Sequence, residues 1–347
     1  MHSPSPRILM MCKGNIGDLV CYTPLLGALR AQLPQAWLGV LGTTYNAAVL
    51  TNNPDIDALF CYQKAKHRTH GESLLQNYLQ RLQLILTLRK QKIDWLLLPS
   101  GPQASALRFA RWVAPRRILV REGNMGRDHE VTAAGALLSA MGLVENLPPL
   151  KLLADPTLRA AAHQEMAKTL PPGLQKWVGV HISSRKPSQR WSAEKFIALI
   201  HSLAAKFPQW GYLLFWSPGA ADNPLHPGDD AKAEQILAAT AGLPISPMPT
   251  SRLESLIAGL DLCDLLICSD GGAMHVAAGL GKPIVCLFGN SPAAWWHPWG
   301  VPCQLLQKPT REVEDIRVEE LLAAVDRLLE SLSDPEQRHP PVTRSPS

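Results

Sequence analysis

The chain has 347 residues, of which 46% are hydrophobic, and a formal net charge of +5 at pH 7. A chain of this length usually folds around more than one hydrophobic core, so we expect a globular protein of two domains. The sequence has no apolar run of about eighteen residues and no apolar core of a secretion signal near its start, so neither a membrane-spanning helix nor a secreted protein is expected.

The charge is unevenly distributed along the chain. Residues 1–150 contain 16 Lys and Arg against 9 Asp and Glu, whereas the remainder contains 18 against 20. A basic first half indicates an acidic partner, such as nucleic acid, an anionic lipid or a phosphorylated saccharide; ordinary solubility charge is the alternative. The seven scattered cysteines show no CxxC spacing, which predicts reduced thiols, mostly in the core, and a cytoplasmic protein.

Strands and helices alternate along the first half. The hydrophobic pattern predicts five strands and, among the intervening helices, three at 18–32, 72–90 and 128–141. The strands are expected at 7–12, 37–42, 58–62, 93–100 and 116–120. Such alternation is typical of an α/β fold, in which helices cover both faces of a parallel sheet.

The loop KGNIGD (13–18) follows the first predicted strand and opens a helix. It lacks the GxGxxG pattern, and no acidic residue ends the second strand, so we reject a nicotinamide dinucleotide site. A P-loop is rejected because the GK[ST] sequence is missing. What remains is a carboxylate, Asp18, near a strand end where α/β proteins bind ligands. The alternative is that Asp18 is a first-turn residue favoured by the helix dipole.

The domain boundary is predicted within residues 145–176, which contain two Pro-Pro pairs and interrupt the alternation. The alternation then resumes, so both domains are predicted to be Rossmann-like parallel-sheet units that face a central cleft. The expected parts are a first domain at 1–150, a linker at 151–176, a second domain at 177–311, an acidic amphipathic helix at 312–332 and a disordered, Pro- and Ser-rich tail at 333–347.

The loop SSRKPSQRW (183–191) follows the first strand of the second half. It begins with two hydroxyls, Ser183 and Ser184, and carries three cations, Arg185, Lys186 and Arg190. Such a loop can neutralise a diphosphate without a metal ion. A solvated basic loop is the alternative, and the position at a strand end favours phosphate.

The stretch 263–298 reads as strand, turn, short helix, strand and loop. Asp270 stands where a helix N-cap is expected, and two glycines follow it. A helix that begins on glycine presents bare backbone N–H groups, and phosphate is the usual anion at such a site. The alternative is that Asp270 only caps the helix. His275 on that helix is either a packed residue or a contact to a phosphate or sugar oxygen.

Other acidic residues are interpreted as structural. Asp55 and Asp57 form a DxD pattern, but they follow NNP, where aspartates serve turns. Asp229 and Asp230 are expected at the cap of the next helix, with a possible ligand contact. The sequence has no HxH, HExxH or Cys/His cluster, so we expect no metal site.

Three stretches together resemble the glycosyltransferases of family 9, the lipopolysaccharide heptosyltransferases, which have the GT-B fold. KGNIGDLVCYTPLLGALRAQLP is similar to the opening of that family, in which a Gly-Asp pair precedes T-x-P and L-R. SDGGAMHVAAGLGKPIVCLFG is similar to its donor signature, and VGVHISSRKPSQRW fits its segment with a basic residue before Trp. The resemblance covers most of the chain. It implies an inverting, metal-independent transfer of heptose from ADP-heptose to the lipopolysaccharide core or a related saccharide.

The resemblance also implies roles for individual residues. Asp18 matches the general base of the family. Donor binding is expected at Ser183, Ser184, Arg190, Asp270, Gly271, Gly272, Ala273 and His275, and acceptor binding at Gly17, Lys64, Lys66 and Arg68. The sequence departs from the family in two places that touch the donor site. Gly271 stands where Ser or Thr is common, and the segment 217–230 differs from the usual loop.

Further expectations follow from the resemblance. The partners are a nucleotide-sugar and an anionic saccharide acceptor rather than nucleic acid, and no cofactor or metal is needed. The protein is expected in the cytoplasm, including the cytoplasmic face of the inner membrane, and its final helix is expected to pack back on the first domain. A sugar-nucleotide epimerase of the same fold and a non-catalytic sugar-nucleotide-binding protein are the alternatives.

Overall fold

A computed structural model describes residues 5–62, 74–123, 129–223 and 227–333 of the chain. It divides into two compact units, Met1–Leu153 and Ala154–Ser347. The division falls inside the stretch in which the Pro-Pro pairs indicated a boundary. No helix among these described residues has both the length and the apolar character needed to cross a bilayer.

The first unit is a five-stranded parallel sheet in the order β3-β2-β1-β4-β5. Its strands are β1 Arg7–Met11, β2 Trp37–Thr43, β3 Ala58–Tyr62, β4 Trp95–Leu98 and β5 Arg117–Val120. Its helices are α1 Ile16–Cys21, α2 Thr23–Gln32, α3 Leu74–Lys90, α4 Ala104–Val113 and α5 Glu130–Ala140. The central strands are buried on both faces, which explains why they read as continuous apolar runs.

The single helix predicted at 18–32 is two helices, α1 and α2. The break falls at Tyr22, and Pro24 lies in the first turn of α2, where its missing N–H costs no hydrogen bond. The Thr23 hydroxyl donates to the Val20 carbonyl oxygen over 2.8 Å and satisfies an acceptor that the break leaves open. A proline preceded by residues of helical pattern therefore marks a new helix start here.

The second unit is a six-stranded parallel sheet in the order β11-β10-β9-β6-β7-β8. Its strands are β6 Lys176–His181, β7 Trp210–Trp216, β8 Ile245–Pro249, β9 Leu265–Ser269, β10 Ile284–Phe288 and β11 Cys303–Gln307. Its helices are α6 Pro156–Thr169, α7 Ala193–Lys206, α8 Asp230–Ala239, α9 Leu253–Asp261, α10 Gly272–Gly279, α11 Ala293–Trp296 and α12 Val318–Ser333.

Both sheets have the doubly wound order in which the first strand of each unit is central and the chain winds outward in both directions. The order reverses between β1 and β4 in the first unit and between β6 and β9 in the second. Ligands of open α/β sheets bind outside the carboxyl ends of the strands at this reversal. Each unit therefore presents one preferred binding edge.

Two segments of the second unit differ from the sequence prediction. The predicted linker contains α6, whose start is capped by the Asp155 carboxylate, which accepts hydrogen bonds from the backbone N–H groups of Thr157 (2.9 Å) and Leu158 (3.0 Å). Strand β8 was not predicted because its sequence, ISPMP, contains two prolines. It pairs with β7 alone at the edge of the sheet, where a residue without an N–H is tolerated.

The final helix, which the resemblance predicts to pack back on the first domain, buries its apolar face in the second unit. Helix α12 belongs to the second unit, where Leu321, Val325 and Leu328 are buried in the same core as Leu203 of α7. Its acidic face remains outside, as the amphipathic pattern predicted. The pattern fixes which face is buried, but it does not say against which sheet.

We expect Leu328→Ala to destabilise the second unit by about 2–5 kcal/mol, because it removes a fully buried side chain and leaves a cavity. Urea unfolding measures the loss. Hydrogen exchange locates it, and it should accelerate in α7 and β10 while β1 and β2 keep their rates. The matched control is Glu330→Ala on the exposed face of α12, expected within about 0.5 kcal/mol of wild type. Faster exchange confined to β1 and β2 would contradict the packing described.

Candidate active site

The polar residues of the second unit converge at its binding edge. The loop between β6 and α7 and the turn between β9 and α10 leave adjacent strands at the point where the strand order reverses. Both stretches were singled out from the sequence for their hydroxyls, cations and glycines. The structure therefore brings the predicted loop 183–191 and the predicted turn 269–272 to the same edge.

Gln189 is the residue that joins these two stretches. It is buried, and its amide nitrogen donates to Asp270 Oδ2 over 2.5 Å and to Ser291 Oγ over 2.8 Å. Its amide oxygen accepts from Ser184 Oγ at 3.3 Å. The ammonium group of the exposed Lys186 donates to the same Ser291 hydroxyl at 2.9 Å. We call these five residues the Gln189 cluster.

The capping interpretation of Asp270 is wrong. The N-cap of α10 is Gly271, which has no side chain, and the Asp270 carboxylate accepts a hydrogen bond from Gln189 instead. Asp270 is only 8% exposed. A buried carboxylate needs compensating hydrogen bonds, and this one obtains the bond through a residue 81 positions away in sequence. Asp270 therefore belongs to the site rather than to the helix alone.

Helix α10 begins at Gly272 and Ala273, directly after this carboxylate. The backbone N–H groups of its first turn have no partner inside the helix, so they are available to an anion at the strand edge. The extended conformation of Gly271 is accessible to any residue (φ 166°, ψ −171°). The Gly at this position is therefore not required by backbone strain.

His275 is a neutral, packed imidazole. It is 3% exposed, and its ring makes an edge-to-face contact with Trp296 at a centroid distance of 5.9 Å. Burial lowers the pKa of His275 to about 4, and this effect outweighs the opposing attraction of the Asp270 carboxylate. His275 can therefore offer a hydrogen bond to a ligand near neutral pH, but it does not offer a positive charge.

The other predicted donor residues have distinct positions in the loop. The Ser183 hydroxyl oxygen accepts from the Ser217 backbone N–H at 2.9 Å and ties the loop to the end of β7. Arg190 is half-buried, and its Nε donates to the Ser184 carbonyl oxygen at 3.0 Å. This bond fixes the guanidinium group beside the Gln189 cluster.

Three residues at the start of the neighbouring helix α8, one of them its N-cap, also lie near this edge. Asp230 accepts from the indole of Trp216 (2.7 Å) and from the Gly219 backbone (2.8 Å), so its role is structural. Asp229 Oδ2 is shielded from solvent and has no hydrogen-bond partner among the residues that the structure describes. Lys232 donates to the Ile182 carbonyl oxygen at 3.0 Å, and burial lowers its pKa to about 8. No sequence pattern pointed to Lys232.

In the first unit, Asp18 is the third residue of α1 and is half-buried. Its Oδ2 accepts the Asn15 backbone N–H at 2.5 Å, which is the capping-box contact of an acidic residue in a first helical turn. Asp18 therefore does act as a first-turn residue that stabilises the helix start, as the structural alternative proposed. That contact also fixes the orientation of the carboxylate at the binding edge.

The buried side chain of Asn46 holds the loop that carries Asp18. Its amide oxygen accepts from the Thr43 backbone N–H at 2.7 Å, and its amide nitrogen donates to the Gly14 carbonyl oxygen at 3.3 Å. A side chain at Gly14 would collide with the Asp18 carboxylate and displace it, so glycine leaves this carboxylate in place. Sequence reasoning missed Asn46, whose only signal is its position just after a strand end.

A second buried polar group lies at the carboxyl ends of β4 and β5. The Tyr22 hydroxyl donates to Glu130 Oε1 at 2.7 Å and lies 3.2 Å from the hydroxyl of Ser100. Glu130 also pairs with Arg121 at 3.0 Å. Burial raises the pKa of Tyr22, so this phenol remains protonated. The sequence offered no spacing from which this group could be predicted.

Of the predicted acceptor residues, Gly17 is buried within α1. Lys64, Lys66 and Arg68 lie outside the described residues. Both aspartates of the DxD pattern form hydrogen bonds or ion pairs with residues of the first unit. Asp57 accepts from Arg30 and from the Leu38 backbone, each at 2.7 Å, and Asp55 pairs with Lys151 at 3.2 Å. Within the described ranges, no group of three or more His, Cys, Asp or Glu side chains could hold a metal ion.

The chain matches known proteins along most of its length. A sequence model of glycosyltransferase family 9 (heptosyltransferase) matches residues 124–322, more than half of the chain. Lipopolysaccharide heptosyltransferase 3 of Escherichia coli is 25% identical to this chain over an alignment 347 residues long. The alignment covers 91% of this chain and 97% of the relative.

Solved structures match the fold. A family 9 glycosyl transferase from Veillonella parvula superposes with a TM-score of 0.77 at 19% identity, covering 96% of this chain and 99% of that one. The E. coli heptosyltransferase WaaC, solved with ADP, has a TM-score of 0.74 at 14% identity, covering 93% and 99%. These matches confirm the predicted α/β architecture of two Rossmann-like units of the GT-B type.

The buried neutral state of His275 predicts a pH-dependent stability. The unfolded chain takes up a proton at this residue below pH 6.5, whereas the folded protein resists protonation down to about pH 4, so acidification favours unfolding. Between those values the free energy of unfolding should fall by on the order of 2 kcal/mol through this residue. Denaturant titrations at several pH values measure this fall.

The comparison uses two variants. His275→Gln should make the fall smaller, whatever its own effect on stability at neutral pH, and the remaining fall is expected from His181, whose pKa burial also lowers to about 4. His201→Gln, which replaces an exposed histidine of α7, should keep the wild-type pH dependence. A wild-type slope that survives in His275→Gln would show that other groups account for it.

Proposed function

The chain belongs to glycosyltransferase family 9, and on that premise we propose that it transfers a heptose from ADP-heptose to a saccharide of the lipopolysaccharide core. The names of the relatives support both substrates. One is a lipopolysaccharide heptosyltransferase, and another heptosyltransferase was solved with ADP. The protein is a glycosyltransferase; the heptose, its nucleotide and its acceptor are the parts that we propose.

The observation that carries the proposal is the Gln189 cluster at the carboxyl edge of the second sheet. It joins a buried carboxylate, Asp270, to hydroxyls and to a lysine at the start of a glycine-led helix. Carboxylates accept hydrogen bonds from sugar hydroxyls, whereas cations and helix N–H groups bind phosphate. A nucleotide-sugar offers both kinds of group within one molecule.

We assign the donor contacts accordingly. The diphosphate binds the N–H groups of Gly271, Gly272 and Ala273 together with Arg190. Asp270 and His275 face the sugar, and the Ser184 hydroxyl completes this side of the site. We also assign Lys186 to diphosphate binding, because its ammonium group is held near the site by its hydrogen bond to Ser291. The Asp229 carboxylate is suited to accept a hydrogen bond from a hydroxyl of the ligand. Ser183 holds the loop in place through its hydrogen bond with the Ser217 backbone N–H.

The chemical step requires a base and a stabilised leaving group. Asp18 removes the proton from the acceptor hydroxyl while the hydroxyl oxygen forms a bond to the anomeric carbon of the donor. The bond from that carbon to the diphosphate oxygen breaks, and ADP leaves with the electron pair. Attack from the face opposite the leaving group inverts the anomeric centre. The hydrogen bond from Asn15 orients the carboxylate for this role.

The cations of the loop stand where a divalent metal would otherwise neutralise the leaving group, so we propose a metal-independent reaction. Gly17 and the basic residues Lys64, Lys66 and Arg68 are assigned to the anionic acceptor. The reaction is placed in the cytoplasm.

We expect Asp18→Asn to lower kcat by about 10²–10⁴-fold while melting temperature and donor affinity stay close to wild type. Asparagine retains an oxygen that can accept the Asn15 N–H, so the helix start is preserved, but it cannot take up a proton. Kinetics, donor calorimetry and thermal melting on one preparation measure the three quantities.

The matched control is Asp155→Asn, the same substitution at a helix cap of the second unit. It should leave turnover unchanged. Turnover of Asp18→Asn within about tenfold of wild type would remove Asp18 from the proton transfer. A large fall in its melting temperature would support the purely structural role instead.

We expect Arg190→Ala and Lys186→Ala each to weaken donor binding by about 1.5–3 kcal/mol, because each loses a charge-assisted contact to phosphate. Isothermal titration of the donor, with and without EDTA, measures the affinity. Arg185→Ala in the same loop is the control, since no hydrogen bond or ion pair holds its exposed side chain among the described residues. Unchanged affinity in both test variants would locate the diphosphate elsewhere, and binding lost only with EDTA would contradict metal independence.

A further inference from the structure

The helices α3 and α4 of the first unit expose an unusual amount of apolar surface. Eight large hydrophobic side chains are exposed among the described residues, and five of them lie on these two helices. They are Tyr78, Leu79, Leu82, Leu86 and Trp112, with exposed fractions between 46% and 66%. Single exposed apolar residues need no explanation, but a contiguous group of them marks an interaction surface.

The apolar residues of α3 form a stripe. Tyr78, Leu82 and Leu86 are four residues apart, so they follow one line along the helix, and Leu79 lies beside them. The adjoining side of α3 already serves the fold, because Ile85 and Leu88 are buried in the core of the first unit. The exposed stripe is therefore a second apolar face that the packing of the unit does not use.

The exposed side of α4 continues this surface. Arg89 of α3 donates from Nε to the Trp112 carbonyl oxygen at 2.9 Å, which holds the C-terminal ends of the two helices together. Trp112 is exposed there; the exposed Arg108 lies one turn before it on the same side of α4, and the exposed Arg111 directly precedes it. We call the stripe, Trp112 and the neighbouring cations the α3–α4 face.

The charge of this face has one sign. The sequences of α3 and α4 contain five Lys and Arg and no Asp or Glu. Arg81 turns inward onto the Tyr62 ring, 5.1 Å from its centroid. The other four are exposed, and none forms an ion pair with a described acidic residue. They are Arg89, Lys90, Arg108 and Arg111.

We propose that the α3–α4 face docks on a membrane surface that contains anionic lipids. Leucines enter the boundary between headgroups and acyl chains, Tyr78 and Trp112 lie at headgroup level, and the four cations contact lipid phosphates. The combination of an apolar stripe with cations and no acid is the chemistry that such a surface selects. A second copy of the chain is a poor occupant, because two such faces would bring cations against cations.

Vesicle sedimentation with the full chain tests the proposal. The wild type should sediment with vesicles of phosphatidylglycerol and phosphatidylcholine in equal parts and should remain in solution with phosphatidylcholine alone. Added salt should weaken the binding, because it screens exposed charges. Each cation at the surface is worth roughly fivefold in affinity, so Arg108→Gln/Arg111→Gln should lose at least tenfold.

Leu82→Gln/Leu86→Gln should also release the protein from the anionic vesicles. Both double variants change exposed residues and introduce a good helix former, so melting temperatures should stay at the wild-type value. The matched controls replace exposed residues elsewhere: Val144→Gln for the leucines and Lys168→Gln for the arginines. These controls should bind vesicles like the wild type.

Three results would overturn the proposal. The first is a wild type that does not bind anionic vesicles, which would indicate that the α3–α4 face binds a protein partner instead. The second is equal vesicle binding by the wild type and both double variants, which would assign the contact to another part of the chain. The third is a wild-type dimer, seen by sedimentation velocity without lipid, that Leu82→Gln/Leu86→Gln converts to monomer.

Discussion

The hydrogen bond from Gln189 to Asp270 is the interaction on which the proposed donor site depends. A carboxylate that is almost fully buried needs a partner, and here the partner comes from a loop on the neighbouring strand. The same amide reaches Ser291, and through Ser291 it reaches Lys186. One buried side chain thus sets the relative positions of a carboxylate, two hydroxyls and a cation at one sheet edge.

The two units use the same strand order to present different chemistry. In the first, a short loop after β1 carries the Asp18 carboxylate, held by Asn15 at its backbone and supported by Asn46 beneath it. In the second, the loop after β6 carries hydroxyls and cations, and the turn after β9 carries bare helix N–H groups. Transfer from a nucleotide-sugar requires a base and an anion site, the roles that we propose for these two edges.

The sequence predicts what depends on local pattern and misses what depends on long-range pairing. Buried strands are continuous apolar runs and amphipathic helices have a period, so the alternation and the two loops at the strand ends could be located. Edge strand β8 was missed because its prolines suit an edge, and the core that buries the apolar face of α12 could not be read from its pattern, because an apolar face does not identify its partner. Gln189, Asn46 and Glu130 carry no pattern at all, since each acts on residues distant in sequence.

The most direct measurement is product analysis of a reaction with ADP-heptose and a lipopolysaccharide-core saccharide in the presence of EDTA. Mass spectrometry identifies the sugar that is added, and NMR of the anomeric proton gives the configuration of the new bond. We expect one heptose on the acceptor, an inverted anomeric centre and one ADP released for each transfer. An isomerised donor without transfer, a retained configuration or binding without turnover would contradict it.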